Sequence, residues 1–278
     1  MKDRRKYGVI GRHISHSLSP ELHGIFARYT RSYDYERLDL EEHELEGVIR
    51  NTEYSGFNVT SPYKRTVIPF LDELTPEAEA LQAVNTIRRL GNGRLVGHNT
   101  DVYGFEKLAK EKRIRGRKVL VLGTGGASSA ICQALRNLGA KEIIRVSRNR
   151  RPEPDCCTYD ELNRHPDAQV IVNSTPIGMY PNNGHSPLDG CSVKWTDFRQ
   201  LETALDAIYN PYRTKFLMDA EEAGAEVESG LAMLVYQGLR SAQIWGEVPR
   251  SGKGRRIVVE QTRGENGRKK EKMKDPFR

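Results

Sequence analysis

Lys118-Val119-Leu120-Val121-Leu122-Gly123-Thr124-Gly125-Gly126-Ala127 is the stretch that decides the fold. Its apolar run reads as a buried strand, and the glycines behind it let the chain turn sharply into a helix. That helix runs on through Leu138 and stops at Gly139, and residues 142–147 supply a second strand. The segment is therefore a complete strand–helix–strand unit. Gly123 and Gly125 let backbone N–H groups approach a pyrophosphate, which the positive end of a helix favours. A plain strand-to-helix turn is the competing reading; the flanking elements favour the dinucleotide site. Ser128 stands where the usual fingerprint has its last glycine or alanine.

The end of the second strand separates two cofactors. Enzymes that select NAD place an acid there for the ribose hydroxyls. Here the chain reads Ser147-Arg148-Asn149-Arg150-Arg151. A hydroxyl and guanidinium groups suit a 2′-phosphate, so NADP is the expected cofactor. A solvated basic loop is the alternative.

Outward from this unit, residues 169–173 and 204–209 read as further strands of the same sheet. Upstream, residues 6–12 read as a strand and turn. Ser19-Pro20-Glu21 reads as an N-cap, a first-turn proline and a first-turn acid of a helix reaching Tyr29. A strand at 33–38, a helix at 42–50 and a strand at 56–59 follow, an alternation that predicts parallel pairing. A helix over 101–112 joins the halves, and a last helix over Leu231–Trp245 shows an apolar face. The expected fold is α/β, with two α/β domains flanking a cleft, the second of Rossmann type. Residues 1–101 with 231–250 form the substrate domain, 102–230 the nucleotide domain, and 251–278 a basic, disordered tail. An active site between domains leads us to expect that they close on one another.

The net charge of +7 is all in that tail: from Arg250 onward there are 11 Lys or Arg against 4 Asp or Glu, and the other 249 residues balance. The tail reads as a solvated segment, with contact to an acidic partner as the alternative. Nucleic-acid binding is not expected. No apolar run reaches the ~18 residues of a membrane span, and the N-terminus lacks a secretory pattern. Cys132, Cys156, Cys157 and Cys191 follow no disulfide or metal spacing, so reduced thiols in a cytoplasm are expected, with no metal. The sequence encodes no oligomeric state and allows a homodimer.

Asn58-Val59-Thr60-Ser61-Pro62-Tyr63-Lys64 reads as a strand end running into a helix whose first turn holds a lysine. A helix N-terminus disfavours a cation there, and locally broken rules point to functional sites. Hydride transfer to a carbonyl leaves an oxygen that needs a proton, and a nearby lysine supplies it. Asp101 either holds Lys64 and favours its charged form or caps the joining helix; both roles are compatible. Gln237 lies beside the apolar face of the last helix and reads equally as a cleft residue or a surface one.

Taken together, Gly11-x-x-x-x-His16-Ser17-x-Ser19-Pro20, Asn58-Val59-Thr60-x-Pro62-x-Lys64, Ala83-Val84-Asn85-Thr86 and Asn99-Thr100-Asp101-x-x-Gly104 occur in order. They are followed by Gly123-x-Gly125-Gly126-Ala127, Asn173-x-Thr175-Pro176-x-Gly178-Met179, Asp206-x-x-Tyr209-x-Pro211 and Gly230-x-x-Met233-Leu234-x-x-Gln237. This series resembles the shikimate dehydrogenase family from about Tyr7 to Gly246. The resemblance implies reversible NADPH-dependent reduction of 3-dehydroshikimate to shikimate, before chorismate in aromatic amino-acid biosynthesis. It implies that Ser17 and Ser19 bind the substrate carboxylate with Tyr209 near it. It further implies that Thr60, Asn85, Asp101 and Gln237 bind ring hydroxyls, and that Lys64 and Asp101 are the catalytic pair. For the cofactor it implies Gly123, Gly125, Gly126, Ala127, Ser147, Arg148, Thr175 and Gly230. Ser19 as a plain N-cap needs no ligand to explain it. Free lysine titrates near ~10.4, so oxidation is expected to rise with pH and reduction to depend on it less. The alternatives are a quinate/shikimate dehydrogenase using NAD, and a metabolite-sensing protein without turnover; a sensor has no need of a proton donor.

Overall fold

The computed structural model describes residues 4–30 and 33–250; the expected tail lies outside them. Two compact units emerge, one running to Asp101 and resuming at Val235, the other spanning Val102–Leu234.

In the first unit, strand β1 (Lys6–Gly11) leads to helix α1 (Ser19–Tyr29), and β2 (Asp34–Asp39) to a short 3-10 turn and α2 (Leu45–Arg50). Strands β3 (Tyr54–Val59) and β4 (Glu73–Leu74), helix α3 (Pro76–Leu81) and strands β5 (Thr86–Arg89) and β6 (Leu95–His98) follow. They form one six-stranded sheet ordered β2-β1-β3-β5-β6-β4. Parallel pairing, as expected, joins β1 to β2 and to β3. It fails at β5, which runs antiparallel to both β3 and β6. The reason is local: Leu90–Arg94 closes a tight hairpin, Leu90 N–H donating to the Arg94 carbonyl at 2.8 Å and Gly93 sitting at φ +85°. So short a connection joins only antiparallel neighbours. Ile10, Leu45, Ile49, Phe57, Val67 and Ile87 form the core on one face.

Lys64 does not stand in the first turn of a helix. Residues 61–67 are turns, ending in a 3-10 helix at Ile68–Phe70. The helix does not propagate because the Lys64 carbonyl accepts from Val84 N–H at 2.8 Å, while Tyr63 and Val67 are drawn into the core. No helix macrodipole therefore acts on this lysine.

Helix α4 (Asp101–Ala109) opens the second unit. There β7 (Lys118–Leu122), α5 (Gly126–Asn137), β8 (Glu142–Ser147), β9 (Cys156–Thr158), β10 (Val170–Asn173), β11 (Thr203–Asp206), α6 (Lys215–Glu222) and β12 (Glu226–Glu228) alternate. Helix α7 (Leu231–Trp245) begins in this unit and ends in the first. The sheet order is β12-β11-β10-β7-β8-β9 and every pairing is parallel. Counted from β7 this is the doubly wound 3-2-1-4-5-6 order, in which the direction of crossover reverses between β7 and β10. Its central strands β7, β10 and β11 are almost entirely buried, as expected where both faces of a parallel sheet are covered. Among the described residues no helix is long and apolar enough to cross a membrane.

Candidate active site

The first unit gathers polar side chains at the ends of β3, β5 and β6. Lys64 Nζ lies 2.6 Å from Asp101 Oδ2, with the two side chains only 19% and 8% exposed. The other carboxylate oxygen, Oδ1, accepts from Asn85 Nδ2 at 2.9 Å. The amide of Asn85 has one allowed orientation, because its Oδ1 accepts from the Thr100 backbone N–H at 2.7 Å. The NH2 must then face Asp101, which aims the second oxygen at Lys64. Asp101 is the first residue of α4, but both its oxygens serve Lys64 and Asn85; its own N–H donates to Asn99 Oδ1 at 3.0 Å. The cap-like contact belongs to Asn99.

Behind Asn85 the network continues inward. Asn58 Nδ2 donates to the Asn85 carbonyl, to Thr86 Oγ1 and to Ser241 Oγ at 3.2, 3.1 and 2.9 Å. Ser241 Oγ donates to the Gln237 carbonyl at 3.0 Å, tying α7 to the same cluster. Asn58, Thr86, Thr100 and Ser241 are all buried. From the sequence Thr100 read only as a cap of the joining helix, and Asn58, Thr86 and Ser241 had no role. The available signal was polar residues inside otherwise buried strands and helix, since a buried polar group needs partners. Gln237 itself is half-buried.

Ser17 and Ser19 are both buried, and Ser19 N–H donates to Ser17 Oγ at 3.3 Å. Ser19 is not the N-cap: α1 is preceded by Leu18, and no side chain makes a capping hydrogen bond. Ser19 sits at the first helical position, one residue past the cap. The plain-cap explanation of Ser19 therefore fails. The loop before Ser17 runs against the turn of Thr60. A Cβ on Gly11 would lie 2.6 Å from both the Ile14 and Thr60 methyls, so only glycine lets the two segments pass.

The second unit holds a different kind of site. Gly123, at φ +102°, has the Ser174 hydroxyl and Thr175 methyl 2.9 Å from where a Cβ would stand. The loops after β7 and β10 are thus in contact at the switch point, where this fold takes its ligands. Gly125 precedes α5 with nothing within 4 Å of its missing Cβ, and the helix start through Gly126 and Ala127 has no side-chain cap and no acid in its first turn. Orphaned N–H groups with open space before them suit a pyrophosphate. At the end of β8, Ser147 is buried and receives Arg151 Nε at 3.3 Å, while Arg148 is exposed. No acid stands there, so a 2′-phosphate fits. Thr175 donates its hydroxyl and its N–H to Asn173 Oδ1 at 2.7 and 2.9 Å. Gly230 packs so tightly that a Cβ would lie 2.1 Å from the Ala207 carbonyl oxygen. Tyr209 is half-buried on the loop after β11. Among the described residues no group of three or more His, Cys, Asp or Glu is placed to hold a metal ion.

Comparison with known proteins gives a consistent answer. Residues 9–87 match the family described as the shikimate dehydrogenase substrate binding domain. A curated shikimate dehydrogenase (NADP(+)) of Bacillus cereus strain G9842 is 36% identical, covering 94% of this chain and 100% of that protein. Among solved structures, shikimate dehydrogenase 1 from Peptoclostridium difficile superposes with a TM-score of 0.82 at 31% identity, over 94% of this chain and 98% of that one. A Thermus thermophilus shikimate 5-dehydrogenase in complex with NADP(H) and shikimate gives 0.77 at 30% identity, over 93% and 99%. On fold, sequence and coverage together, the chain belongs to the shikimate dehydrogenase family.

Proposed function

We propose that this chain catalyses the reversible NADP-dependent reduction of 3-dehydroshikimate to shikimate, with Lys64 and Asp101 as its proton-transfer pair. The observation that carries the reading is the Lys64–Asp101 contact at 2.6 Å, with Asn85 fixing the other carboxylate oxygen. A lysine held this way has its Nζ oriented before substrate arrives, and orientation is where much of an enzyme's advantage lies. When bound, the nicotinamide supplies the hydride. Lys64 stabilises the oxygen on which charge develops and gives it a proton; in the oxidative direction it takes the proton back. Asp101 holds the amine, and Asn85 holds Asp101.

Ser17 and Ser19 offer hydroxyls at the start of α1 for the substrate carboxylate, a placement favoured by the helix end and freed from capping duty. Thr60, Asn85 and Gln237 bind ring hydroxyls, and Tyr209 serves the carboxylate. Gly123, Gly125, Gly126 and Ala127 would hold the cofactor's pyrophosphate and Ser147 and Arg148 its 2′-phosphate, with Thr175 and Gly230 as further cofactor-binding residues. The unpaired cysteines support a cytoplasmic setting.

The test is a four-way assay of the full chain: shikimate and quinate, each with NADP+ and NAD+. Shikimate with NADP+ is expected to give the highest kcat/KM. Preference for NAD+ would overturn the role of Arg148, preference for quinate would overturn the substrate, and no turnover in any arm would leave a binding protein.

A further inference from the structure

Asp206 is the last residue of β11, fully buried in the second unit, and the chemistry assigned above does not use it. Three donors converge on its carboxylate. Oδ1 accepts from Ile208 N–H at 2.9 Å and from Asn173 Nδ2 at 3.1 Å, and Oδ2 accepts from Thr214 Oγ1 at 2.6 Å. Each donor leads to a different segment. Through the other end of its amide, Asn173 accepts both the N–H and the hydroxyl of Thr175. Ile208 immediately precedes Tyr209, and its carbonyl accepts from Gly230 N–H at 2.9 Å. Thr214 is the N-cap of α6, its Oγ1 accepting from Leu217 N–H. No cation is among these partners, and burial pushes the carboxyl up to about 6 against the pull of its three donors. An anion placed in an apolar interior without a counter-charge is costly, and such placements concentrate where function needs them.

We propose that Asp206 is a positioning residue that fixes two ligand-binding loops at once: the Thr175 loop toward the dinucleotide and the Tyr209 loop toward the substrate carboxylate. The inference rests on the function proposed above for what those loops bind. The geometry makes the coupling specific. Asn173 spans Asp206 and Thr175 with its two ends, its Nδ2 also donating to the Ile177 carbonyl at 3.2 Å, so removing the carboxylate takes away one of the two contacts that aim the amide oxygen at Thr175 and loosens both Thr175 bonds. The same loss releases the turn at Ile208 that presents Tyr209.

The test measures binding directly, by titration calorimetry of the full-length protein with NADP+ and, separately, with shikimate. The wild-type chain binding neither ligand would refute the functional reading, a result distinct from anything the variants show. Given wild-type binding, Asp206→Ala is expected to weaken NADP+ and shikimate together, each about 10-fold or more, as loss of a supporting hydrogen-bond partner typically does. Asp206→Asn keeps an oxygen for Ile208 and Asn173 and disturbs only the Thr214 contact, so both affinities should return to within a few-fold of wild type. Asn173→Ala removes the Thr175 arm together with one of the three donors to Asp206, leaving Ile208 and Thr214 on the carboxylate, and should weaken NADP+ with shikimate unchanged; this variant carries the test if Asp206→Ala does not fold. A lower melting temperature with both affinities unchanged would make Asp206 merely structural. Weakening of one ligand only by Asp206→Ala, or of neither by Asn173→Ala, would break the proposed coupling.

Discussion

In the first unit the groups with chemistry to offer are side chains, and other side chains hold them: Asn85 and Thr100 orient Asp101, and Asp101 orients Lys64. In the second unit they are largely backbone N–H groups, and glycines hold those: Gly123 makes the turn and Gly125 leaves the space. The ligands proposed for the two units account for the contrast. A small hydroxylated ring offers many hydroxyl groups in fixed directions, which demands many directed partners. A pyrophosphate offers diffuse negative charge, which a helix end answers without any side chain. Even so, both units place a buried carboxylate with two or more donors behind the proposed site, Asp101 in the first and Asp206 in the second.

If the second site is made of backbone, it should break through geometry. Gly230→Ala drives a methyl to 2.1 Å from the Ala207 carbonyl oxygen, and overpacking against rigid backbone should cost about 3 kcal/mol. Chemical denaturation of the variant would show this as a lower midpoint. If the first site is made of side chains, it should break through lost partners. Asn85→Ala leaves Thr100 N–H and one Asp101 oxygen unsatisfied, which should cost about 1–3 kcal/mol. Steady-state assay of the same variant should also show kcat lowered about 10- to 100-fold.

A smaller effect separates the units by pH. His23, in the first unit, is packed against Tyr35 and Phe26, and burial lowers it to about 3. The unfolded chain takes up a proton near ~6.5 that the fold refuses, so this contribution is present above that pH and is lost as pH falls. Asp206 has the opposite sign. Its carboxyl is raised to about 6, so the fold keeps a proton that the unfolded chain gives up near ~3.9; that stability is full below this pH and is lost as pH rises through about 6. Denaturation midpoints followed from pH 4 to 7 should flatten at the acid end in His23→Phe and lose the fall toward neutrality in Asp206→Asn. The smallest expected effect on folding still weakens binding. Gly125→Ala places a methyl where the protein has no atom within 4 Å, so stability should stay within about 0.5 kcal/mol. NADP+ affinity should nonetheless fall about 10-fold, because the pyrophosphate needs that space.

The contrast also explains what the sequence revealed. The centre of the second unit was legible, because buried parallel strands write themselves as apolar runs broken by glycine, and β7, α5 and β8 lie where the pattern placed them; β9, α6 and β12 were not read, the two strands being short and only partly apolar. The first unit was less legible. Strands β5 and β6 carry arginines and a histidine, Thr86-Ile87-Arg88-Arg89 and Leu95-Val96-Gly97-His98, and gave no clean period. The Lys64 segment looked like a helix because local propensity is silent about Val84 donating to the Lys64 carbonyl from twenty residues away. The contact of Lys64 with Asp101 was expected from the chemistry, and the two lie 2.6 Å apart. Their keepers Asn58, Thr86 and Ser241 were not expected, since nothing in a linear chain says that residues 58, 86 and 241 share one hydrogen-bond cluster.

The most direct trial of the central claim is single-turnover reduction of 3-dehydroshikimate by NADPH in wild type and Lys64→Ala, with shikimate affinity measured alongside. Loss of the proton donor should slow the chemical step by about 100-fold or more while shikimate affinity changes only a few-fold. A variant that turns over at the wild-type rate, or one whose only defect is weakened shikimate binding, would contradict the assignment of Lys64 and Asp101.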